Sequence, residues 1–497
     1  MFHFTGASGL RRPEGNDETA DEDTQVDDGY QWVPEWTPSR HPNARENYLP
    51  DPTDGVVGEM AGRPANWAGN VVYSADRIKQ PRTLEELQAL VSANERVRAL
   101  GTGHSFNRIA DSCGVLVSTA GLPPVMDVDT DRATVTASSG IRYGELARHL
   151  NAAGYALHNL GSLPHISVAG ACATATHGSG DAVGNLATAV SALEMVTADG
   201  ETIALSRDCD PAARDRFRGA VVGLGSLGVV TRLALDVIPA FDVLQYVYDD
   251  LPAQRLNTCF TEIFASGYSV SVFTDWQRPR HNQLWVKRRA GQDDSWTPEP
   301  RWMDAKLADG PRHPVPGRPA ASCTQQLGVP GPWHERLPHF RLDFTPSSGE
   351  ELQSEYLVPR DLGVAALEAV TDLRDRIAPV LQISEIRTVA SDHLWMSPSY
   401  QRDAVALHFT WIKDTRAVTP VIAAVEERLA PLAARPHWGK LFSTRQQTIS
   451  ALYERYGDFL ELLHRHDPAG KFRNDLIDRY FPAVHLGRGL SRCWPPV

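Results

Sequence analysis

From Ser167 to Gly180 the chain is built of little but alanine, glycine, serine and threonine. Ile166-Ser-Val-Ala-Gly170 runs into Ala173-Thr-Ala-Thr-His-Gly-Ser-Gly180. Side chains this small let a flat ligand or a diphosphate lie directly against backbone. The plainer alternative is a glycine-rich loop packed on a helix. A second cluster, Gly101-Thr-Gly-His-Ser105, follows the apolar run Val97–Leu100, which reads as a strand. Such a loop turns tightly and brings N–H groups close to a phosphate, but alone it is equally a simple turn. His104 alone is more often a structural histidine than a reactive one. A third cluster, Gly223-Leu-Gly-Ser-Leu-Gly228, spells G-x-G-x-x-G. A dinucleotide fingerprint needs a helix after it, whereas Val229-Val-Thr-Arg-Leu-Ala-Leu is β-branched and alternating, so the context points away from NAD. His177-Gly-Ser-Gly180 is spelled like an esterase oxyanion loop, yet no G-x-S-x-G elbow occurs, which argues against an α/β-hydrolase.

The remaining chemistry sits in alternating segments. Glu385-Ile-Arg387 and His408-Phe-Thr410 are i, i+2 polar pairs inside β-rich stretches, so both members of each pair share a sheet face. The intervening Ile386 and Phe409 are apolar, so both faces cannot be surface. Four polar side chains on an inward face make a wet pocket suited to hydroxyl-rich ligands. Pro436-His-Trp-Gly-Lys440 adds a cation and another imidazole.

At 497 residues the chain is long enough for two or three domains. A net charge of -12 disfavours nucleic acid and anionic membrane surfaces. No apolar run reaches the ~18 residues of a membrane span, and no secretory signal is visible; Arg11-Arg12 lack the apolar stretch of a twin-arginine signal. The six cysteines are scattered without C-x-x-C, which argues against a zinc site or disulfide framework and fits a reducing cytoplasm. No metal site is expected.

Residues 1–65, with acidic Glu14–Asp23 and Pro-rich stretches, cannot bury enough apolar surface to offset ordering and are expected to be disordered. Met60 is a candidate start. Residues 66–240 read as mixed α and β. Thr83-x-x-Glu86 is a capping box opening a helix through Leu87 and Val91. Val115–Ser118 is a strand, hairpins are read at 125–137 and 193–205, Tyr143–Leu150 is a helix, and Val229–Ile238 is a strand. In 241–440, strands are read at 268–273, 284–287, 385–390 and 405–411, and helices at 362–376 and 418–432. Residues 441–480 return to the first region, and 481–497 form a short tail.

Ten segments in order resemble the alditol oxidases, within the FAD-linked oxidases of the vanillyl-alcohol-oxidase (PCMH-type) fold. They are Asn66-Trp-Ala-Gly-Asn70, Gly101-Thr-Gly-His-Ser-Phe-Asn107, Ser162-Leu-Pro-His-Ile-Ser-Val-Ala-Gly170, Thr176-His-Gly-Ser-Gly180, Gly331-Pro-Trp-His-Glu-Arg-Leu-Pro-His339, Gln353-Ser-Glu-Tyr356, Glu385-Ile-Arg-Thr388, His408-Phe-Thr-Trp411, Arg435-Pro-His-Trp-Gly-Lys440 and Asp467-Pro-Ala-Gly-Lys-Phe472. The resemblance implies an α+β fold: a PCMH-type FAD-binding domain over 66–240, a separate α+β cap over 241–440, and a return over 441–480. It implies FAD bonded covalently through its 8α carbon to His104. It places Ala99, Leu100, Gly101, Thr102, Gly103, Ser105, Ser162, Ser167, Gly170, Thr174, Ala175, Thr176, His177 and Val230 around that cofactor, with Arg387 and His437 near it.

The same resemblance gives a polyol to Ser162, Gln353, Glu385, Arg387, His408, Thr410 and Lys440. On this reading a terminal hydroxyl of xylitol or sorbitol is oxidised and O2 becomes H2O2. Arg387 and Lys440 favour the developing alkoxide, His408 takes the proton with His437 behind it, and Glu385 grips hydroxyls. Gly161 stands where the family leads one to expect alanine, which leaves room for O2 at the flavin edge. A cytoplasmic monomer without nucleic-acid or membrane partners is expected. The alternatives are an aldonolactone oxidase, a dehydrogenase of this fold passing electrons to a non-oxygen acceptor, and a flavin-free binding protein.

Overall fold

The structure, a computed structural model, describes residues 58–60, 63–291, 297–344 and 349–483. The disorder expected of 1–57 and the tail beyond 483 lie outside the described residues. The boundary at 65 is corrected: Gly58–Met60 pairs antiparallel with Arg63–Ala65, so Met60 lies within a strand. Tyr73 N–H donates to the Pro64 carbonyl and Ala65 bridges Val72, which ties this hairpin to the chain after it.

The fold is α+β. A three-stranded parallel sheet sets Val115–Val117 between Ile78–Lys79 and Val97–Ala99. Helix Leu84–Ala93 covers it, burying Leu87 and Val91 against Val97, Val117 and Phe472. Thr83 Oγ1 accepts from Glu86 N–H, but the Glu86 carboxylate returns to Arg82 N–H rather than to Thr83, so the capping box is displaced by one residue on its return arm. A five-stranded antiparallel sheet runs Thr202–Ser206, Val190–Val196, Val229–Asp236, Thr134–Ser138, Met126–Asp129. Both expected hairpins are there, with Gly200 at φ +91 in the second turn. Gly223–Gly228 is a turn leading straight into Val229–Asp236, so the G-x-G-x-x-G spelling opens no helix. Helix Pro211–Val221 was not foreseen, although Asp210 caps it with Pro211 in its first turn.

Strands from 242 onward form the largest sheet. Its central order is Asp242–Pro252, Arg280–Arg289, Ser269–Thr274, Leu381–Val389, Ala404–Trp411, Leu352–Pro359, with every pairing antiparallel. Helices Gly363–Thr371 and Thr415–Leu429 bury Ala366, Leu367, Val418, Ile422 and Val425 against Val272, Ile386, Leu407 and Phe409. The helix read over 362–376 is broken in two, at Thr371 and before Arg374. Strands Asp242–Pro252 and Leu352–Pro359 were not read from sequence.

The segment after 445 turns back. Ile449, Tyr453, Phe459, Leu462, Ile477, Tyr480 and Phe481 share one core with Val135, Leu146, Leu193 and Leu233. Among the described residues no helix is long and apolar enough to cross a membrane. Cys172, Cys209, Cys259 and Cys323 are free thiols, and Cys113 is disulfide-bonded.

Candidate active site

One cavity joins these parts. Its first wall is the loop after Val97–Ala99. Ala99, Leu100, Gly101, Thr102, Gly103, His104 and Ser105 line it, together with the small residues Gly161, Ser162, Ser167, Gly170, Thr174 and Thr176 packed beside them. A Cβ on Gly101 would lie 2.2 Å from Ser167 Oγ, so any side chain there forces that hydroxyl to move. Gly103 takes φ +67. Leu100 N–H is spent on Val117 and Phe106 N–H on Gly439, but the N–H groups of residues 101 to 105 have no protein partner among the described residues. Consecutive unpartnered N–H groups in a concave loop form a site for phosphate oxygens, so the wall fits the diphosphate of a dinucleotide.

His104 stacks on Trp67, ring centroids 5.2 Å apart, and its Nδ1 lies 3.0 Å from Thr102 Oγ1. Thr102 Oγ1 also accepts from Ser167 N–H, which ties the two halves of this wall together. Burial, with His165 as a lesser cause, pushes the imidazole down to about 4.

The opposite wall is a face of the large sheet, and its register decides the site. Glu355 pairs with His408, His408 with Glu385 and Glu385 with Phe273, so four strands contribute one cross-sheet row. Gln353 and Thr410 form the adjacent row. Arg387 stands on the other side of Glu385, two residues along the same strand. The alternate residues Ile386, Leu407 and Phe409 point into the helix-covered core.

Glu355 is the hub. It accepts from Arg387 Nη2 and from Lys440 Nζ at 2.7 Å, with His177 Nε2 at 3.4 Å. Burial alone would raise its pKa; Lys440 and Arg387 outweigh it and hold the carboxyl well below the usual range. Glu385 behaves alike, its burial outweighed by Arg387 and His339. Arg387 is pulled down by burial and up by the two carboxylates, and the net is upward. Burial lowers Lys440. His408, buried and next to Lys440, is pushed down to about 4, and burial drives His437 well below its usual value. The site therefore presents two anions, two cations and neutral imidazoles at neutral pH. Arg387 Nε, His177 Nε2 and His408 Nε2 are buried without hydrogen-bond partners. Unpaired buried polar atoms around a cavity mark where ligand atoms complete the bonding.

Residues 75–206 match the family model described as FAD binding domain, and residues 349–480 match that of D-arabinono-1,4-lactone oxidase. An alditol oxidase of Streptomyces sp. (strain IKD472 / FERM P-14339) is 52% identical over 426 residues, spanning 84% of this chain and 100% of the relative. The chain belongs to the alditol oxidase family. An L-gulono-1,4-lactone dehydrogenase of Mycobacterium tuberculosis (strain ATCC 25618 / H37Rv) is 29% identical over 437 residues, spanning 84% of this chain and 98% of that one. The crystal structure of cholesterol oxidase from B. sterolicum superposes with a TM-score of 0.68 at 15% identity, over 88% of this chain and 100% of that one, which shows a common fold.

Against that family background, most residues singled out in the sequence meet in one place. Ser162, Gln353, Glu385, Arg387, His408, Thr410, His437 and Lys440 all line the cavity, as do His104 and His177. Ala175 and Val230 do not line it: Ala175 is buried at φ 52 behind the wall, and Val230 sits in the five-stranded sheet. Sequence reasoning gave no role to Glu355, His339 or Lys287. Glu355 carried a usable signal, since Gln353-Ser-Glu355 is a third i, i+2 polar pair whose alternates, Leu352 and Tyr356, are core. His339 and Lys287 carried none, because they reach the site only through a loop and a neighbouring strand.

Proposed function

We propose that this chain is an FAD-dependent alditol oxidase converting a terminal hydroxyl of an open-chain polyol, such as xylitol or sorbitol, to the aldose while O2 becomes H2O2. The observation that carries the reading is one cavity with an unpartnered N–H loop on one wall and the Glu355–His408–Glu385 row, with Arg387 and Lys440, on the other. FAD, when bound, supplies the electron-accepting chemistry and passes the electrons to O2. The protein's own part is to bind, orient and move one proton. Arg387 and Lys440 favour the hydroxyl oxygen as it loses its proton. His408 takes that proton: it is neutral at pH 7, its Nε2 is unpartnered, and Glu385 Oε2 lies 3.8 Å from its Nδ1 to steady the imidazolium. His437 is the poorer acceptor, because its Nδ1 already accepts from Gly439 N–H.

Ser162, Gln353, Thr410 and Glu385 are proposed to bind the remaining hydroxyls. A pocket that pairs each hydroxyl rejects analogues lacking one, so xylitol should outrun short alcohols and γ-lactones. Stoichiometric aldose and H2O2 from xylitol tests this. Faster turnover of a γ-lactone, or electrons delivered to a quinone but not to O2, would overturn it.

The flavin tether to His104 and the division into an FAD-binding domain (66–240 with 441–480) and a cap (241–440) belong to the same proposal. A denaturing gel under ultraviolet light should show a fluorescent band at full size, absent in His104→Ala. Colour released by acid precipitation would refute the tether.

A further inference from the structure

Beside Glu385 lies a buried pair that the reaction as described does not use, His339 lining the cavity and Lys287 outside it. Lys287, on strand Arg280–Arg289, is 1% exposed. Its Nζ reaches the carbonyls of Leu337 and Pro338 and, at 3.2 Å, His339 Nδ1. Glu385 is held ionised and can only accept, so the proton of the neutral ring sits on Nε2 and Nδ1 is the acceptor facing Lys287, whose own pKa burial lowers to about 7. Nε2–H then donates to Glu385 Oε1 at 2.7 Å. The His339 ring is held edge-on between Phe273 and Trp285, centroids 5.4 and 5.2 Å away. Burial, aided by Lys287, pushes His339 down to about 4, which keeps it in this neutral form.

The other carboxylate oxygen is left open. Glu385 Oε2 lies 3.6 Å from Arg387 Nε and 3.8 Å from His408 Nδ1, both beyond hydrogen-bond reach, and Arg387 Nε is unpartnered. An acceptor next to an unused donor suits a group that both donates and accepts: an alcohol hydroxyl, giving its proton to Oε2 and taking one from Nε. A lactone carbonyl, which only accepts, leaves Oε2 unpaired.

We propose that Lys287 and His339 are positioning residues that occupy Glu385 Oε1, so that Oε2 is the oxygen left for a ligand and the site selects a hydroxyl over a carbonyl oxygen. The proposal rests on the polyol reading above and names two residues that set its specificity. Neither touches the reacting atoms. The bond they protect is made equally in ground and transition states, so its loss raises KM rather than lowering kcat.

The test compares His339→Leu, His339→Gln and Lys287→Met with the wild-type holoenzyme. Flavin content serves as the folding control. Kinetic constants on xylitol are measured together with the rise in Tm that xylitol causes under anaerobic conditions. The leucine variant should raise KM for xylitol about tenfold, with kcat changed less than about threefold, and should lose the xylitol-induced rise in Tm. Glutamine, whose amide N–H can still donate to Oε1, should restore KM to within about threefold of wild type. Lys287→Met should raise KM by about threefold, because the ring loses its anchor at Nδ1 and holds Oε1 less firmly. Unchanged KM and unchanged Tm response in the leucine variant overturn the proposal, as do equal effects of leucine and glutamine. Should the leucine variant fail to fold, an unchanged KM in Lys287→Met overturns it. Wild-type enzyme inert on xylitol is a different result and sinks the polyol reading itself.

Discussion

Arg387 and Glu355 hold opposite signs in the same few ångströms, and their removal should fail in different ways. Arg387→Ala takes away a cation aimed at the developing oxyanion, and kcat on xylitol should fall on the order of 10²-fold or more. Glu355→Gln leaves Arg387 and Lys440 buried without their shared anion. Breaking a buried pair from one side costs about 3–5 kcal/mol, so that variant should show a clearly lowered Tm before any kinetic effect is read. His408 sets the pH profile. Its pKa is depressed to about 4, so the proton-accepting form is present above that value. The acid limb of kcat should therefore fall below about pH 5. A limb centred at the ordinary histidine value of ~6.5 would remove His408 from the proton-accepting role.

Elements matter here through what they keep out of the way. The loop from Gly101 to Ser105 and the segment from Gly161 to His177 touch across the cavity wall with no room to spare at Gly101 and ample room at Gly161. A Cβ on Gly161 meets nothing nearer than 3.6 Å. Gly161→Ala should change stability by no more than about 0.5 kcal/mol while slowing reoxidation of the reduced enzyme by O2, measured by stopped flow. Gly101→Ala should yield protein with little bound flavin, since its Cβ would displace the Ser167 hydroxyl. On the large sheet, Phe409 stacks on Trp411 with centroids 5.0 Å apart and a near-parallel tilt, on the face opposite His408 and Thr410. It holds the strand that carries both.

For the molecule as a whole, buried histidines contribute to the response to acid. His281, His339, His408 and His466 are each pushed down to about 4 by burial. A depressed folded-state pKa means that the unfolded chain binds protons which the folded one refuses. Their stabilisation is complete above the unfolded value of ~6.5 and is lost as pH falls toward 4. Tm should thus decline steadily between pH 7 and pH 4, and a flat profile would contradict the burial of these rings. Much of this architecture was readable in advance. Alternation alone put Glu385 with Arg387 and His408 with Thr410 on one face, and Ile386 and Phe409 on the other, because side-chain direction along a strand is a local property with a period of two. The runs of glycine and small residues likewise marked the wall where backbone is approached closely. Strand register is not local. Only the tertiary pairing set Glu355, His408 and Glu385 in one row, brought Lys440 and His177 onto Glu355 and ran Lys287 through His339 to Glu385. Those contacts join residues tens to hundreds of positions apart, and the electrostatics of a buried charge depends on whichever neighbours the fold delivers to it.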